Sequence, residues 1–292
     1  MSNKKRLIKG KLLVDTGDPK EAKKVQQLLE EGGFAGVDGA TTNPSYFAKN
    51  PDVQARIAKG EKFTTDELLS AYKKTVQELD RIIPGGDISV EVYADQATTA
   101  EQMVEQAREM FSWIPTARIK LPITEQGLIA AETLKDSVRL NMTLCFSQQQ
   151  AAAVYAITQG AKEPAFISPF IGRFDDRGEN GAQFVGNVVK MMHQGDGHVE
   201  VLAASFRSVD NIFEMINVEA DVVTINLGKF QAWADEGWKL PSSDFRYNFD
   251  GKDIPYEEIQ LGQDWKTYDI HHELTDVGLK QFVDDWNNLL VG

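Results

Sequence analysis

Thr116–Thr124 reads TARIKLPIT. Ile119, Leu121 and Ile123 mark a short buried strand, and Lys120 stands in its middle. A lysine so placed loses hydration, and desolvation disfavours the ammonium form. Either the side chain snorkels to water, or its amine is used for chemistry. Which holds depends on the sheet to which the strand belongs.

Working outward, similar apolar, β-branched runs occur at 11–16, 36–42, 87–94, 118–123, 139–146, 165–170, 198–205 and 221–227. Helical segments separate them. After the first run, Asp18 reads as an N-cap, Pro19 as the first helical residue and Glu21 as the far half of a capping box, with Gly32 and Gly33 ending the helix. TTAEQMVEQAREMF and TEQGLIAAETLK each open on a capping threonine, and SQQQAAAVYAITQG runs from Ser147 to Gly160. Strand then helix, eight times over, is the pattern of parallel βαβ units. Eight units within roughly 230 residues suit a closed (β/α)₈ TIM barrel. The competing open, doubly wound sheet lacks its glycine-rich phosphate fingerprint, because GDGHVE precedes a strand and follows none. Barrel strands are covered on both faces, so Lys120 must face the interior or its mouth. Residues 1–227 are therefore expected to form the catalytic barrel. Residues 228–292 are turn-rich and aromatic until LTDVGLKQFVDDWNNLL, which has helical spacing. They read as a helical and irregular C-terminal extension packed on the barrel.

Composition narrows the function. The chain has 292 residues, 42% of them hydrophobic, and a formal net charge of −13. That charge argues against nucleic acid or an anionic membrane surface as partner, while leaving room for a small anion met by a few focused arginines. A single cysteine, Cys145, excludes a disulfide framework within one chain and points to a reducing cytoplasm. The basic start MSNKKRLIKG has no apolar core after it, and no run reaches the roughly 20 residues of a membrane span.

Active sites of (β/α)₈ enzymes lie at the C-terminal ends of the strands. Those positions hold Asp15, Asn43, Glu91, Lys120, Asn141 with Thr143, Ser168 and Ser205, and Arg173 and Arg207 follow strands six and seven. Asp15 is not needed as a cap, since Asp18 fills that place. Glu91, inside ISVEVYA, is hard to explain as a surface residue of a central strand. Asn43 precedes Pro44 and reads equally well as a turn residue. Asn141 and Thr143, two apart, point the same way, and satisfied core polar groups are the bland reading of both. Cys145 reads as core filler, with no histidine base near it. His271 and His272 are adjacent and cannot share one helix face, so metal-ligand spacing is absent. One buried lysine with two carboxylates points to Schiff-base carbonyl chemistry. A neutral amine attacks a ketone, one carboxylate removes the proton that permits carbon–carbon cleavage, and a second acid–base works through water on the carbinolamine. Lys120, Asp15 and Glu91 fill these places. Asn43, Asn141, Thr143 and Ser168 suit the oxygens of a polyol.

In order along the chain, DTGD, TTNPS, EVYA, IKLP, NMTLCFS, ISPFIGR and AASFR resemble the motifs of the transaldolase family, over roughly residues 11–227. The resemblance implies a class I aldol mechanism with no metal or organic cofactor, in the cytoplasmic pentose phosphate pathway, and a homo-oligomer. It implies that Lys120 forms the imine with a ketose phosphate and that Asp15 takes the proton of the C4 hydroxyl. Glu91 and Thr143 would hold the water of the imine steps. Asn43, Asn141 and Ser168 would bind the dihydroxyacetone moiety, and Arg173, Ser205 and Arg207 the phosphate. Glu91 and Phe170 side with the transaldolases proper. KLPITEQGLIAAETLK, TTAEQMVEQA and FDDRGENGAQF look more like the small fructose-6-phosphate aldolases, and residues 228–292 resemble neither sub-group. A sulfonated ketose fits the same two arginines and hydroxyl, so the donor's anionic group stays open. The reading from another class is a sugar-phosphate-binding barrel without catalysis, but a binder has no use for a buried lysine beside two carboxylates.

Overall fold

The computed structural model describes residues 4–291. Among them, eight strands run parallel: β1 (Lys11–Asp15), β2 (Gly39–Thr41), β3 (Asp87–Glu91), β4 (Ala117–Pro122), β5 (Leu140–Cys145), β6 (Ala165–Pro169), β7 (Val199–Ala203) and β8 (Val222–Ile225). Each pairs with its successor and β8 returns to β1, closing the expected (β/α)₈ barrel. The helices are α1 (Pro19–Glu31), α2 (Pro44–Ala48), α3 (Pro51–Ile57), α4 (Thr65–Ile82), α5 (Ala100–Phe111), α6 (Glu125–Leu134), α7 (Gln148–Thr158), α8 (Gly172–Asp175), α9 (Gly181–Met192), α10 (Val209–Asn217), α11 (Leu227–Asp235) and α12 (Glu273–Asn287).

Local chemistry sets the boundaries. Reciprocal capping boxes open α4 (Thr64 and Glu67), α5 (Thr99 and Gln102) and α7 (Ser147 and Gln150). The box expected at α1 is only half made. Asp18 accepts from Lys20 N at 2.9 Å, but Glu21 takes the Thr16 hydroxyl instead. β2 is shorter than the run 36–42, and just before it the Asp38 carboxylate accepts from Leu12 N and Arg6. Gly39 then passes so close to β3 that a Cβ would lie 2.0 Å from Asp87 O.

Alternation divides each strand between helix-facing and interior side chains. On β4, Ile119 and Leu121 are fully buried toward the helices, while Arg118 and Lys120 enter the barrel. Arg118 seals the N-terminal end. Its Nε and Nη2 bind Asp87 at 2.7–3.0 Å, its Nη1 donates to Leu140 O and Pro164 O, and it stacks 3.7 Å above the Phe166 ring. A groove of 1030 Å³ lies outside this end, beside Lys9 and Lys11, which are paired with Glu219 and Glu200.

The expected boundary at 227 falls at the start of α11, the helix of the eighth βα unit, which packs on α1. Residues 236–272 then run over the outer helices. Gln183 and Asn187 of α9 hold the backbone of Ile254, and Gln148 of α7 exchanges two hydrogen bonds with Glu257. α12 crosses the C-terminal mouth. Trp286 packs on Phe47 of α2 at 5.9 Å, and Ser45 donates to Asp285. No helix among the described residues is long and apolar enough to cross a membrane.

Candidate active site

A cleft of 390 Å³ opens at the C-terminal mouth. Lys120 lies at its floor, 3% exposed. Its Nζ donates to Thr42 O at 3.1 Å and stands 2.8 Å from Glu91 Oε2. β3 and β4 are in register at these two residues, so backbone pairing itself sets amine against carboxylate. Burial pushes the Glu91 carboxyl up, and the Lys120 charge opposes that push.

Asp15 ends β1 at the same floor. Thr41 Oγ1 donates to Asp15 Oδ1 at 2.7 Å and is itself joined to Thr224 at 2.6 Å. Burial raises Asp15 to about 6, against the pull of Lys120 and the Thr41 hydrogen bond. A carboxylate held there is a base poised near working pH. Tyr46 of α2 also lines the cleft, and burial together with the Asp15 charge pushes its hydroxyl up.

Two arginines mark the other end. Arg207 presents its Nε and Nη2 edge to Asp176 at 2.9 and 2.7 Å and its Nη1 to Ser205 Oγ at 3.2 Å. The Asp176 hydrogen bond is the main force holding its guanidinium charge. A Cβ on Gly172 would lie 2.2 Å from Arg207 Cζ and Nη1, so the guanidinium rests directly on that glycine. Ser205 takes a left-handed φ of 68°, uncommon outside glycine, and its carbonyl accepts from Gly172 N at 2.8 Å. Arg173 has no carboxylate within ion-pair distance among the described residues; burial and the neighbouring Arg207 lower its pKa.

Asp15, Asn43, Lys120, Ser168, Phe170, Arg173, Ser205 and Arg207 thus line one cleft. Glu91, Asn141 and Thr143 stand behind that surface. Asn141 is fully buried, donating to Ser89 Oγ at 3.0 Å and accepting from Ser168 Oγ at 2.7 Å. Thr143 Oγ1 is buried with no hydrogen-bond partner among the described residues. Asn43 is both turn residue and cleft residue, because its Oδ1 caps α2 through Tyr46 N at 2.9 Å. Phe170 is buried edge-on against Phe146 at 5.6 Å. Cys145 does not continue the Asn141–Thr143 alternation. A bulge at Leu144, with φ 62°, interrupts it, and α12 holds the bulge through Thr275 Oγ1 to Leu144 O at 3.0 Å.

Sequence reasoning passes over Tyr46, Thr41, Asp176 and the roof residues Gln281, Phe282 and Asp285 of α12. TTNPS carried the signal for Thr41. Nothing in LTDVGLKQFVDDWNNLL says which surface that helix covers. Among the described residues, no three His, Cys, Asp or Glu side chains are grouped to hold a metal ion.

The family model described as Transaldolase/Fructose-6-phosphate aldolase matches residues 12–291, including the C-terminal stretch in which no motif resemblance is legible. Three relatives bear the name "Probable transaldolase". The protein of Thermus thermophilus is 32% identical, over 91% of this chain and 95% of its own. That of Bdellovibrio bacteriovorus is 31% identical, over 95% and 97%. That of Dehalococcoides mccartyi is 29% identical, over 96% and 99%.

Proposed function

The chain belongs to the Transaldolase/Fructose-6-phosphate aldolase family, and from that premise we propose that it transfers a dihydroxyacetone unit between sugar phosphates through a Schiff base on Lys120. One observation carries the reading: a buried amine gripped by Glu91 and Thr42 O forms the floor of a cleft whose far end holds two arginines. An amine there meets a ketone while the arginines of the same cleft hold a tetrahedral anion, phosphate or sulfonate.

Neutral Lys120 attacks the C2 carbonyl of a ketose phosphate such as fructose 6-phosphate or sedoheptulose 7-phosphate. Loss of water from the carbinolamine gives the iminium. In this reading Glu91 and Thr143 hold that water; it is supported by the buried Glu91 Oε2 and Thr143 Oγ1, which have no hydrogen-bond partner among the described residues. Asp15 then takes the C4 hydroxyl proton, the C3–C4 bond breaks, and its electrons pass to the iminium nitrogen as an enamine. The aldose phosphate leaves. The enamine carbon attacks the aldehyde of an acceptor such as erythrose 4-phosphate, Asp15 returns its proton, and hydrolysis frees Lys120. Asn43 and Ser168 flank the three-carbon unit. Phe170 supports transfer over simple aldol release, because a phenyl ring offers no proton to the waiting enamine.

The test is borohydride reduction with fructose 6-phosphate, followed by intact mass and peptide mapping. An adduct on Lys120, absent from Lys120→Met, is expected, together with product only when erythrose 4-phosphate is added. An adduct on another lysine refutes the mechanism. Multiple turnover without acceptor refutes transfer in favour of an aldolase.

A further inference from the structure

Tyr72 lies on α4, 1% exposed and outside the lining of the cleft. Its hydroxyl accepts from Glu91 N at 3.0 Å and meets Thr42 Oγ1. Thr42 Oγ1 gives its own proton to Ser89 O at 2.9 Å. A hydroxyl has one proton to give, so in the contact between the two side chains Tyr72 is the donor. The chain has one direction: Glu91 N–H to Tyr72, Tyr72 O–H to Thr42, Thr42 O–H to Ser89 O.

The two residues that Tyr72 grips are the two that grip Lys120. Thr42 O accepts from Nζ at 3.1 Å, and Glu91 Oε2 lies 2.8 Å from it. An amine nitrogen is tetrahedral. With Cε bonded, one N–H given to Thr42 O and the Glu91 carboxylate 2.8 Å from the nitrogen, the directions left to the amine are restricted, and in the neutral amine one of them is the lone pair. We infer that Tyr72 is a positioning residue that aims the Lys120 lone pair into the cleft by fixing at once the acceptor Thr42 and the ion-pair partner Glu91; this rests on the Schiff-base reading above. Tyr72 touches no substrate. Its ring is clamped by Phe47 at 5.0 Å and by Trp113 and Trp286 at 5.8 Å each, so the phenol has no freedom to leave the chain. Burial pushes its hydroxyl up, which keeps the proton it donates.

Tyr72→Phe removes the link and leaves the ring packing. Misaimed reacting groups lose rate and not affinity. The expected result is kcat lower by about 10–100-fold with KM for fructose 6-phosphate within about twofold. The rate of borohydride-trappable adduct formation should fall by the same factor as kcat. Trp113→Phe loosens the same ring cluster while keeping every hydrogen bond, so it should lower Tm without slowing adduct formation. Thr42→Val removes the Tyr72 acceptor but keeps the carbonyl that holds Lys120; it should reproduce the slow adduct, and Thr42→Ser should restore the rate. The inference is overturned if Tyr72→Phe loses no more adduct rate than Trp113→Phe at equal loss of Tm. It is equally overturned if Tyr72→Phe raises KM with the adduct rate intact, or if Thr42→Val is as fast as wild type. Absence of any Lys120 adduct in the wild type removes the Schiff-base reading itself, a result distinct from a normal adduct in Tyr72→Phe.

Discussion

Replacing Asp15 by asparagine should strengthen the fold while stopping the reaction. The Asp15 carboxyl is raised from 3.8 to about 6, chiefly by burial. At about 1.4 kcal/mol per pKa unit, this displacement corresponds to about 3 kcal/mol of destabilisation when the group is ionised in the folded state. The pH window follows from the direction of the shift. Below about pH 3.8 Asp15 is protonated in folded and unfolded chains alike, and the charge costs nothing. Above about pH 6 it is ionised in both, and the folded state bears the whole cost. Stability from this residue is therefore lost as pH rises between those values. Asp15→Asn keeps the shape and removes the charge. With unfolding entropy near 2.1 cal/mol/K per residue, a 292-residue chain gains about 5 °C in Tm for 3 kcal/mol. Denaturation should show this gain at about pH 8 and little of it at about pH 3. Turnover should fall by about 10²–10⁴. Borohydride should then trap the uncleaved hexose phosphate on Lys120. A variant no more stable than wild type at the higher pH, or one whose gain persists unchanged at the lower pH, refutes the burial argument. A folded variant that forms no imine refutes the assignment of Asp15 to cleavage.

Gly172→Ala places a methyl group 2.2 Å from the Arg207 guanidinium and should evict it. At about 1.5–3 kcal/mol for a lost charge-assisted hydrogen bond, KM for fructose 6-phosphate should rise by about 10–150-fold. KM for unphosphorylated dihydroxyacetone should stay near wild type, and equal effects on both donors would count against the anion site. Phe170→Tyr puts a hydroxyl in the lining of the cleft, so on the proposed mechanism free dihydroxyacetone should rise relative to transfer product when both are quantified by chromatography. An unchanged product ratio would separate Phe170 from the choice between release and transfer.

The strand-end residues are legible because a central barrel strand gives a charge nowhere else to go. Lys120 between two isoleucine and leucine neighbours, and Glu91 inside ISVEVYA, announce themselves by being out of place. Other parts of the site depend on chain segments brought together from far apart. Asp176 sits in FDDRGENG, which reads as surface loop, and its meaning comes from Arg207, 31 residues on. Ser45 and Asp285 are 240 residues apart, so an amphipathic pattern tells that α12 packs without telling where. Leu144 carries no turn chemistry at all. Its left-handed backbone is imposed by the register break in β5 and by Thr275 on its carbonyl. Asn43 shows that one residue can hold both of its readings, cap and cleft.

The roof of the cleft also ties activity to the order of synthesis. Every barrel strand has been translated by residue 225, yet Gln281, Phe282 and Asp285 lie some 60 residues further on. At about 5–20 residues per second, a nascent chain carries all eight strands for about 3–12 s before its lid exists. A chain lacking that helix lacks these three residues of the lining around Lys120. A chain ending near residue 270 should bind fructose 6-phosphate poorly, and the 292-residue chain that includes the last helix should bind it.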